Sequence, residues 1–373
     1  FNPIKAKMFF ASPLWSFVCR RDAFRRSVLM VAGAALVATL APMAYSQATD
    51  SVFSTDNLAA EVTEALSQKP ITIASGPSGS MSYLTAGMLC EVMIRALFTD
   101  APRCYVEPTT GSAMNLALLF SSEADFALIQ SDREHFAFTR IGPYEGVEVA
   151  DGLRRVAAIA GLPIQAVVKA QTGIEEIAAL KDLRIGLGEE GSTQRLIGRV
   201  VLSTGGVQER ELGFISAQRP DEQLSEFCSN ELDAIILATT APSPLVTEAL
   251  ERCNGKLLPL ASEAFSALTD ENNYLVPLEL PASTYPNQPE SVSSFGYVVS
   301  LVAMDGRRDA LISTLAAELP LVYGSLSSRF DGFGLVPEDK LFDLGKTATL
   351  HSGVQAYLGQ FGDTPNSDEA DDL

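Results

Sequence analysis

Three turns rich in glycine and hydroxyl side chains interrupt this chain, each where an apolar run of strand type should give way to a helix. The turns are Gly76-Pro77-Ser78-Gly79-Ser80, Thr109-Thr110-Gly111-Ser112 and Gly188-Glu189-Glu190-Gly191-Ser192-Thr193. Such a turn leaves backbone N–H groups and hydroxyl donors beside the positive end of a helix dipole, at the carboxyl edge of a strand. That edge suits a small anionic or zwitterionic group. Because few acid–base residues stand beside the turns, the pattern favours holding a solute over converting it.

Apolar runs of strand length alternate with helical patterns along most of the chain. Predicted strands cover residues 71–75, 104–107, 126–129, 183–187 and 234–238. Predicted helices cover residues 80–97, 112–120, 192–203 and 220–228. This alternation predicts two α/β lobes of parallel strands and crossover helices, with residues 161–163 as the passage between them. Ligand sites in such folds lie at the carboxyl ends of strands, so two facing lobes would form a cleft.

Beyond residue 260 the sequence predicts a return to the first lobe. An apolar run covers residues 297–304, and helical patterns cover residues 308–319 and 350–361. The first of these helices is expected to end where Pro320 would interrupt it. We expect residues 70–162 to form the first lobe, residues 163–260 the second lobe, and residues 261–361 the return to the first lobe and the hinge-spanning helices.

The first 46 residues have the pattern of an export signal. Arginines at 20, 21, 25 and 26 precede an apolar run at 28–41, and Ala44 and Ser46 are small residues at the spacing that signal peptidase reads. The run is shorter than the roughly 20 residues that span a membrane, so cleavage near Ser46 is favoured over an uncleaved anchor. We expect residues 47–69 to form a linker, residues 362–373 to form a disordered acidic tail, and the mature protein to reach the periplasm.

The chain is strongly acidic, with 46 Asp and Glu against 27 Lys and Arg and a net charge of −19. Removal of the basic signal would make the mature protein more acidic still. Such a surface repels nucleic acid and anionic lipid headgroups, which argues against both as partners. It suits a soluble protein that stays monomeric.

Cysteine usage agrees with export, because Cys19 lies in the signal and an even number remains. The remaining cysteines are Cys90, Cys104, Cys228 and Cys253. Three connectivities are possible, and sequence order favours bridges Cys90–Cys104 and Cys228–Cys253, since each joins a helix to a segment shortly after it. A zinc site is the alternative, but the chain lacks a CxxC spacing and only His135 and His351 could add nitrogen ligands.

Candidate ligand contacts come from strand ends and from the first turns of helices. In the first lobe they are Gly79, Ser80, Ser82, Tyr83, Gly111, Ser112, Asn115, Gln130 and Asp132. In the second lobe and the hinge they are Gly191, Ser192, Thr193, Arg195, Thr239 and Tyr285. Arg195 could hold a carboxylate through two parallel hydrogen bonds, and Asp132 would suit an ammonium group. Structural alternatives remain open, with Ser80 and Asp132 as helix caps and Arg195 as an ion-pair partner of Glu189 or Glu190.

An ordered set of motifs resembles one known family. The motifs are residues 73–76, 79–83, 109–112, 130–132, 191–195, 231–234 and 281–286, together with the cysteines that follow the signal. Their order and spacing resemble the TAXI-type solute receptors of tripartite ATP-independent periplasmic (TRAP) transporters, over roughly residues 70 to 360. Pro77 and the pair Glu189-Glu190 depart from the family pattern.

The resemblance implies an α/β receptor of the type II periplasmic-binding-protein kind, with its ligand cleft between two lobes. Such a receptor closes on a small carboxylate-bearing solute, here a glutamate-like amino acid or an organic acid, and delivers it to an ion-driven permease. Neither an ATPase, a cofactor, a metal nor a catalytic residue is implied. Three alternatives stay open: the receptor of an ABC importer, an extracytoplasmic enzyme, and a sensory domain.

Overall fold

The computed structural model describes residues 70–96, 103–328 and 335–360 of the chain. The predicted export signal, linker and acidic tail lie outside these residues. The strands are β1 Ile71–Ala74, β2 Cys104–Glu107, β3 Phe126–Gln130, β4 Leu153–Lys169, β5 Arg184–Gly186, β6 Phe214–Ser216, β7 Ala234–Ala238, β8 Gly255–Leu258, β9 Val276–Leu280 and β10 Val292–Met304. The helices are α1 Met81–Ala96, α2 Ser112–Phe120, α3 Ser131–Thr139, α4 Thr193–Thr204, α5 Pro220–Cys228, α6 Pro244–Glu251, α7 Glu263–Glu271, α8 Asp309–Ser327 and α9 Ser352–Gly359.

The strands form a mixed sheet in the order β2-β1-β3-β10-β4-β7-β5-β6, with β8 beside β4 and β9 beside β10. In the first lobe β1, β2 and β3 are parallel, and β10 lies antiparallel between β3 and β4. In the second lobe β5, β6 and β7 are parallel, and β7 and β8 flank β4. This architecture confirms the predicted α/β fold of two lobes.

Two long strands belong to both lobes. Residues 153–163 of β4 pair with β10 in the first lobe, and residues 164–169 pair with β7 and β8 in the second. β10 makes the reverse passage, pairing first with β9 and then with β3 and β4. At this crossing a Cβ on Gly296 would collide with the backbone of Leu162 and Pro163, so only glycine fits there.

Helix α8 is longer than the sequence predicts. The pattern predicts an end before Pro320, but the helix continues through this residue to Ser327. Proline removes one helical hydrogen bond, and the packing of Leu319 and Tyr323 in the core of the first lobe holds the helix together on either side of it. By length and composition α8 could cross a membrane, yet its buried face packs against α1 and α9, which identifies it as a core helix.

Both predicted disulfides are present. Cys90–Cys104 joins α1 to β2, and Cys228–Cys253 joins the end of α5 to the segment before β8. The sulfurs of these pairs are therefore not available as zinc ligands. No group of three or more His, Cys, Asp or Glu side chains among the described residues could hold a metal ion.

A carboxylate clamp joins the starts of β5 and β7, and it leads to our first prediction. Asp233 accepts hydrogen bonds from the Arg184 backbone N–H at 2.9 Å and from its guanidinium at 3.0 and 2.7 Å. These bonds lower the pKa of Asp233, so its stabilising contribution is present above the unfolded-state pKa of about 4 and is lost as the pH falls through the lower folded-state value. Because the Arg184 side chain is 42% exposed, the expected effect is modest.

We expect Asp233→Asn to lower the free energy of unfolding at neutral pH by about 1 to 2 kcal/mol. The difference in unfolding free energy between the variant and the parent protein should shrink in acid, where the protonated Asp233 carboxyl is as neutral as the amide that replaces it. Urea unfolding across a pH series measures it. The exposed Asp270→Asn is the matched control, and an Asp233→Asn protein as stable as that control at neutral pH would contradict the clamp.

Candidate functional site

A cleft of about 870 Å³ lies where the strand ends of the two lobes face each other. The segments that follow β1, β2 and β3 line it from the first lobe. Residues 160–162 of β4 and Val299 of β10 line it at the crossing. Thr193, Ala238, Thr239 and Thr240 line it from the second lobe. A ligand here would touch both lobes and the strands that join them.

Helices α1, α2 and α4 begin at this cleft. Met81 and Ser82 come from α1, Ser112 and Ala113 from α2, and Thr193 from α4, and all of them line it. First-turn N–H groups have no acceptor within their own helix, and the dipole adds partial positive charge. The cleft thus has hydrogen-bond donors for an anion on both of its sides.

Gly111 shapes the turn that leads into α2 at the cleft. It is the N-cap of α2 with φ of 125°, in a region that side chains other than glycine rarely adopt. Its N–H is bonded to the Thr109 hydroxyl at 3.0 Å, and that hydroxyl also donates to the Ser75 carbonyl at 2.7 Å. The turn after β2 is thereby fixed to the end of β1, which places both turns at one edge of the sheet.

One guanidinium faces the cleft, and it belongs to a helix that the sequence pattern does not predict. Arg133 lies in the first turn of α3, directly after β3, and is the only charged residue among the described residues that line the cleft. A cation in this position is disfavoured by the helix dipole, so helix stability alone does not explain it. Beside it lies the Tyr144 phenol, whose pKa is raised by burial, which keeps the hydroxyl protonated as a donor.

The chain matches the NMT1-like family over residues 73–357. It belongs to the NMT1-like family. Members of this family are periplasmic solute-binding proteins.

Solved structures resemble this NMT1-like protein at low sequence identity. The TctC solute binding protein from Polaromonas is 18% identical, with a TM-score of 0.52 over 79% of this chain and 98% of that one. The aliphatic sulphonate binding protein SsuA from Escherichia coli is 14% identical, with a TM-score of 0.45 over 79% and 84%. MatC from Rhodopseudomonas palustris, solved with bound malate, is 13% identical, with a TM-score of 0.45 over 79% and 98%. The TctC match shows that the two-lobe fold is that of solute-binding proteins.

Eight of the fifteen predicted ligand contacts line the cleft of the NMT1-like protein: Ser80, Ser82, Gly111, Ser112, Asn115, Gln130, Thr193 and Thr239. Three of these side chains already have partners. The Ser80 hydroxyl accepts from the Tyr83 N–H at 3.3 Å, the Ser112 hydroxyl accepts from the Gln130 N–H at 3.1 Å, and the Asn115 amide donates to the Leu128 carbonyl at 2.6 Å. Within the described residues, the side chains of Ser82, Gln130, Thr193 and Thr239 make no such bonds and remain available.

The other predicted contacts lie outside the cleft lining: Gly79, Tyr83, Asp132, Gly191, Ser192, Arg195 and Tyr285. Gly79 and Gly191 have φ of 80° and 81° and shape the turns before α1 and α4. The Ser192 hydroxyl caps α4 by accepting from the Arg195 N–H at 3.1 Å. These residues position the helix ends without facing the cleft themselves.

Arg195 is engaged in ion pairs with two glutamates that do not line the cleft. Its guanidinium lies 2.5 Å from the Glu209 carboxylate and 3.6 Å from that of Glu190, and the residue is only 8% exposed. The structural alternative left open for this residue, an ion pair with Glu189 or Glu190, is present with Glu190, but the closer partner is Glu209, which the sequence analysis did not name. The cation of the cleft is Arg133 instead.

Tyr285 does not line the cleft, but it is linked through Gln165 to Thr239 and Thr240, which do. Its phenol accepts from the Ser243 N–H at 3.0 Å and donates to the Gln165 side chain at 2.6 Å, and the Gln165 amide donates in turn to the carbonyls of Thr239 and Thr240. Burial raises the pKa of Tyr285 to about 12, so the phenol stays neutral. It therefore holds the end of β7 in place.

Asp132 lies beneath the cleft in the first turn of α3. Its carboxylate accepts from the Arg133 N–H at 2.7 Å and lies 3.6 Å from the Arg133 guanidinium. Burial raises its pKa, and Arg133 opposes that shift. The expected contact with a ligand ammonium is not available from this position, because the side chain is 9% exposed and turned to Arg133.

Proposed function

We propose that this protein is an exported receptor that captures a small carboxylate-bearing solute, a glutamate-like amino acid or an organic acid, in the cleft between its lobes. The observation that carries the proposal is the composition of the cleft: the first turns of helices from both lobes and one guanidinium, with no carboxylate among the lining residues that the structure describes. Oriented N–H groups and guanidinium are the donors that bind carboxylates most strongly in proteins. Because Asp132 faces Arg133, organic acids are favoured over amino acids within this class.

Capture would proceed by closure of the lobes around β4 and β10. Ser82 and Arg133 supply donors from the first lobe, and Thr193 and Thr239 from the second. A ligand that contacts both sets binds the closed form more tightly than the open form and so shifts the population toward it. The proposed lobes are residues 70–162 and 163–260, with residues 261–361 returning to the first lobe and the hinge.

The proposed partner is a TRAP-type permease, as for the TAXI receptors that the ordered motifs resemble. The two disulfides support work in an oxidising compartment, and the acidic net charge suits a soluble periplasmic protein. Uptake by the receptor reconstituted with its permease should need an ion gradient and proceed without ATP. Uptake that requires ATP hydrolysis would assign the receptor to an ABC importer.

We propose that the captured solute leaves chemically unchanged. Among the described residues that line the cleft there is no His, Cys, Asp or Glu, so the hydroxyl groups of the cleft have no general base beside them in this lining. Retention of the solute in its original form can be checked by mass spectrometry after release.

A thermal-shift screen of organic acids tests the receptor proposal. A ligand present at about 100 times its dissociation constant stabilises the native state by about 2.7 kcal/mol, which raises the melting temperature by several degrees. Each acid is paired with a fully amidated analogue that has no carboxylate, such as succinate with succinamide and butanoate with butanamide. We expect acids to stabilise and matched amides not to. Equal stabilisation by the amides, or turnover of a chromogenic ester without any stabilising acid, would overturn the proposal.

A further inference from the structure

A second cavity of about 300 Å³, which we call the side pocket, opens from the cleft into the second lobe. Gln130, Leu162, Thr193, Ala238 and Thr239 line both cavities, so the two are continuous. The side pocket lies beneath the first turns of α4, α5 and α6 and against the end of β7. A ligand whose carboxylate occupies the cleft could extend into it.

The walls of the side pocket are mainly aliphatic. Ile197 and Leu237 are only 4% and 3% exposed, and Leu245 and Leu162 complete the apolar surface. Among the described residues that line the side pocket none is charged, in contrast to the cleft with Arg133. Because a buried charge without a partner is costly, this cavity suits an uncharged, apolar group.

Polar side chains lie at the edge of the side pocket, with Gln130, Thr193 and Thr239 on the side shared with the cleft and the Tyr297 phenol on β10. Tyr297 lines it from β10, and burial, with a further contribution from Asp132, raises the pKa of Tyr297, so the hydroxyl is neutral. Tyr297 is partly buried, and its hydroxyl makes no hydrogen bond within the described part of the chain. It is therefore available to a polar atom carried on an otherwise apolar group.

We propose that the side pocket binds the tail of the ligand, and that the physiological ligand is an amphiphilic carboxylate with an aliphatic or aromatic tail. This inference rests on the proposed function, since the carboxylate is held by the cleft. The tail fills the space between Ile197, Leu237 and Leu245, and a hydroxyl or carbonyl on the tail meets the Tyr297 phenol. Compact dicarboxylates leave this space empty and bind more weakly.

Calorimetry with propanoate, butanoate, hexanoate and octanoate tests the tail site in the full protein, with 3-phenylpropanoate as the aromatic member and succinate as the compact reference. Affinity should rise by about fourfold for each methylene that enters the side pocket. Leu245→Trp fills the pocket and should flatten this dependence on tail length. Leu196→Trp is the matched control, because it makes the same change at a 51% exposed position that lines neither cavity.

Leu245→Ala provides a second variant in case the larger side chain prevents folding, and it should move the optimum toward longer tails. An affinity that does not rise with tail length in the parent protein, with succinate or propanoate still bound, would overturn the tail site and leave the receptor function intact. If no carboxylate of any length binds, the receptor function fails together with the tail site. Equal flattening by Leu196→Trp would also overturn the assignment of the pocket.

Discussion

Replacement of Arg133 by glutamine should weaken carboxylate binding by about 30- to 1000-fold, the range expected when one partner of a desolvated charge pair is removed. Arg133 carries the only charge in the cleft lining, and its side chain is 31% exposed, which limits solvent screening. Glutamine keeps a hydrogen-bond donor but loses the positive charge and the fork that binds two oxygens. Calorimetry at fixed ionic strength with the best acid from the thermal-shift screen measures the loss.

Arg195→Gln is the matched control for this experiment. It makes the same chemical change one helix away, where the guanidinium pairs with Glu209 and Glu190 outside the cleft. Its affinity for the acid should remain within a few-fold of the parent protein. If Arg195→Gln abolished binding and Arg133→Gln did not, the assignment of the anion site would be wrong.

The second large effect is on stability, and it comes from an ion pair between Glu134 of α3 and Arg155 of β4. Arg155 and Glu134 are both fully buried, with 3.7 Å between guanidinium and carboxylate, and Arg155 also donates to the Leu344 carbonyl at 2.6 Å and to that of Gly345. Arg155→Met leaves the Glu134 carboxylate buried without its cation. We expect this variant to lose about 3 to 5 kcal/mol of unfolding free energy, the cost measured for breaking buried pairs.

The pH dependence of the Arg155→Met variant follows from the remaining carboxyl group. Burial raises the pKa of Glu134 above its unfolded-state value near 4.5, and Arg155 opposes this shift in the parent protein. Without the cation the folded-state pKa rises further, so stability is greatest below the unfolded-state value and falls as the pH rises through the range above it. Denaturant titrations from acid to neutral pH measure this slope.

Two further variants test whether Arg155→Met loses stability because it removes a charge or because it changes the volume of the side chain. The double variant Glu134→Gln with Arg155→Met removes both charges and should recover part of the stability. Arg95→Met breaks an exposed pair with Glu91, whose side chains are 78% and 61% exposed, and should change stability by less than about 0.5 kcal/mol. A double variant less stable than Arg155→Met would contradict an electrostatic cause.

Local sequence patterns predict much of the fold. Helices α2 and α5 and strands β2 and β7 have the bounds that the apolar periodicity predicts, because strand-length apolar runs and turn residues bracket them. Helix α3 was not predicted, since its sequence SDREHFAFT is polar and has no clear apolar stripe. Helix α3 is stabilised by its packing against β10 and by the contact of Glu134 with the buried Arg155. Neither contact can be recognised from a short stretch of sequence.

The candidate site shows the same division. The glycine turns predict that helix ends meet at one edge, and the residues of the first turns of α1, α2 and α4 do line one cleft. The sequence pattern favours Arg195 as the cation of the site, because it stands in such a first turn. In the structure Arg195 pairs with Glu209, which lies too far along the chain for a local pattern to reveal. Arg133 was missed together with α3, although a cation just after a strand that ends in Gln130 is a signal that could have revealed it.

The two strands common to both lobes also limit how this protein can be produced and taken apart. A gene fragment that ends between the lobes would truncate β4 or omit β10, and the remaining half would lose a neighbour from the middle of its sheet. Neither half can therefore serve as an autonomous module for grafting, for split reporters or for piecewise refolding. Both lobes must therefore be made as one continuous chain before the cleft between them is complete.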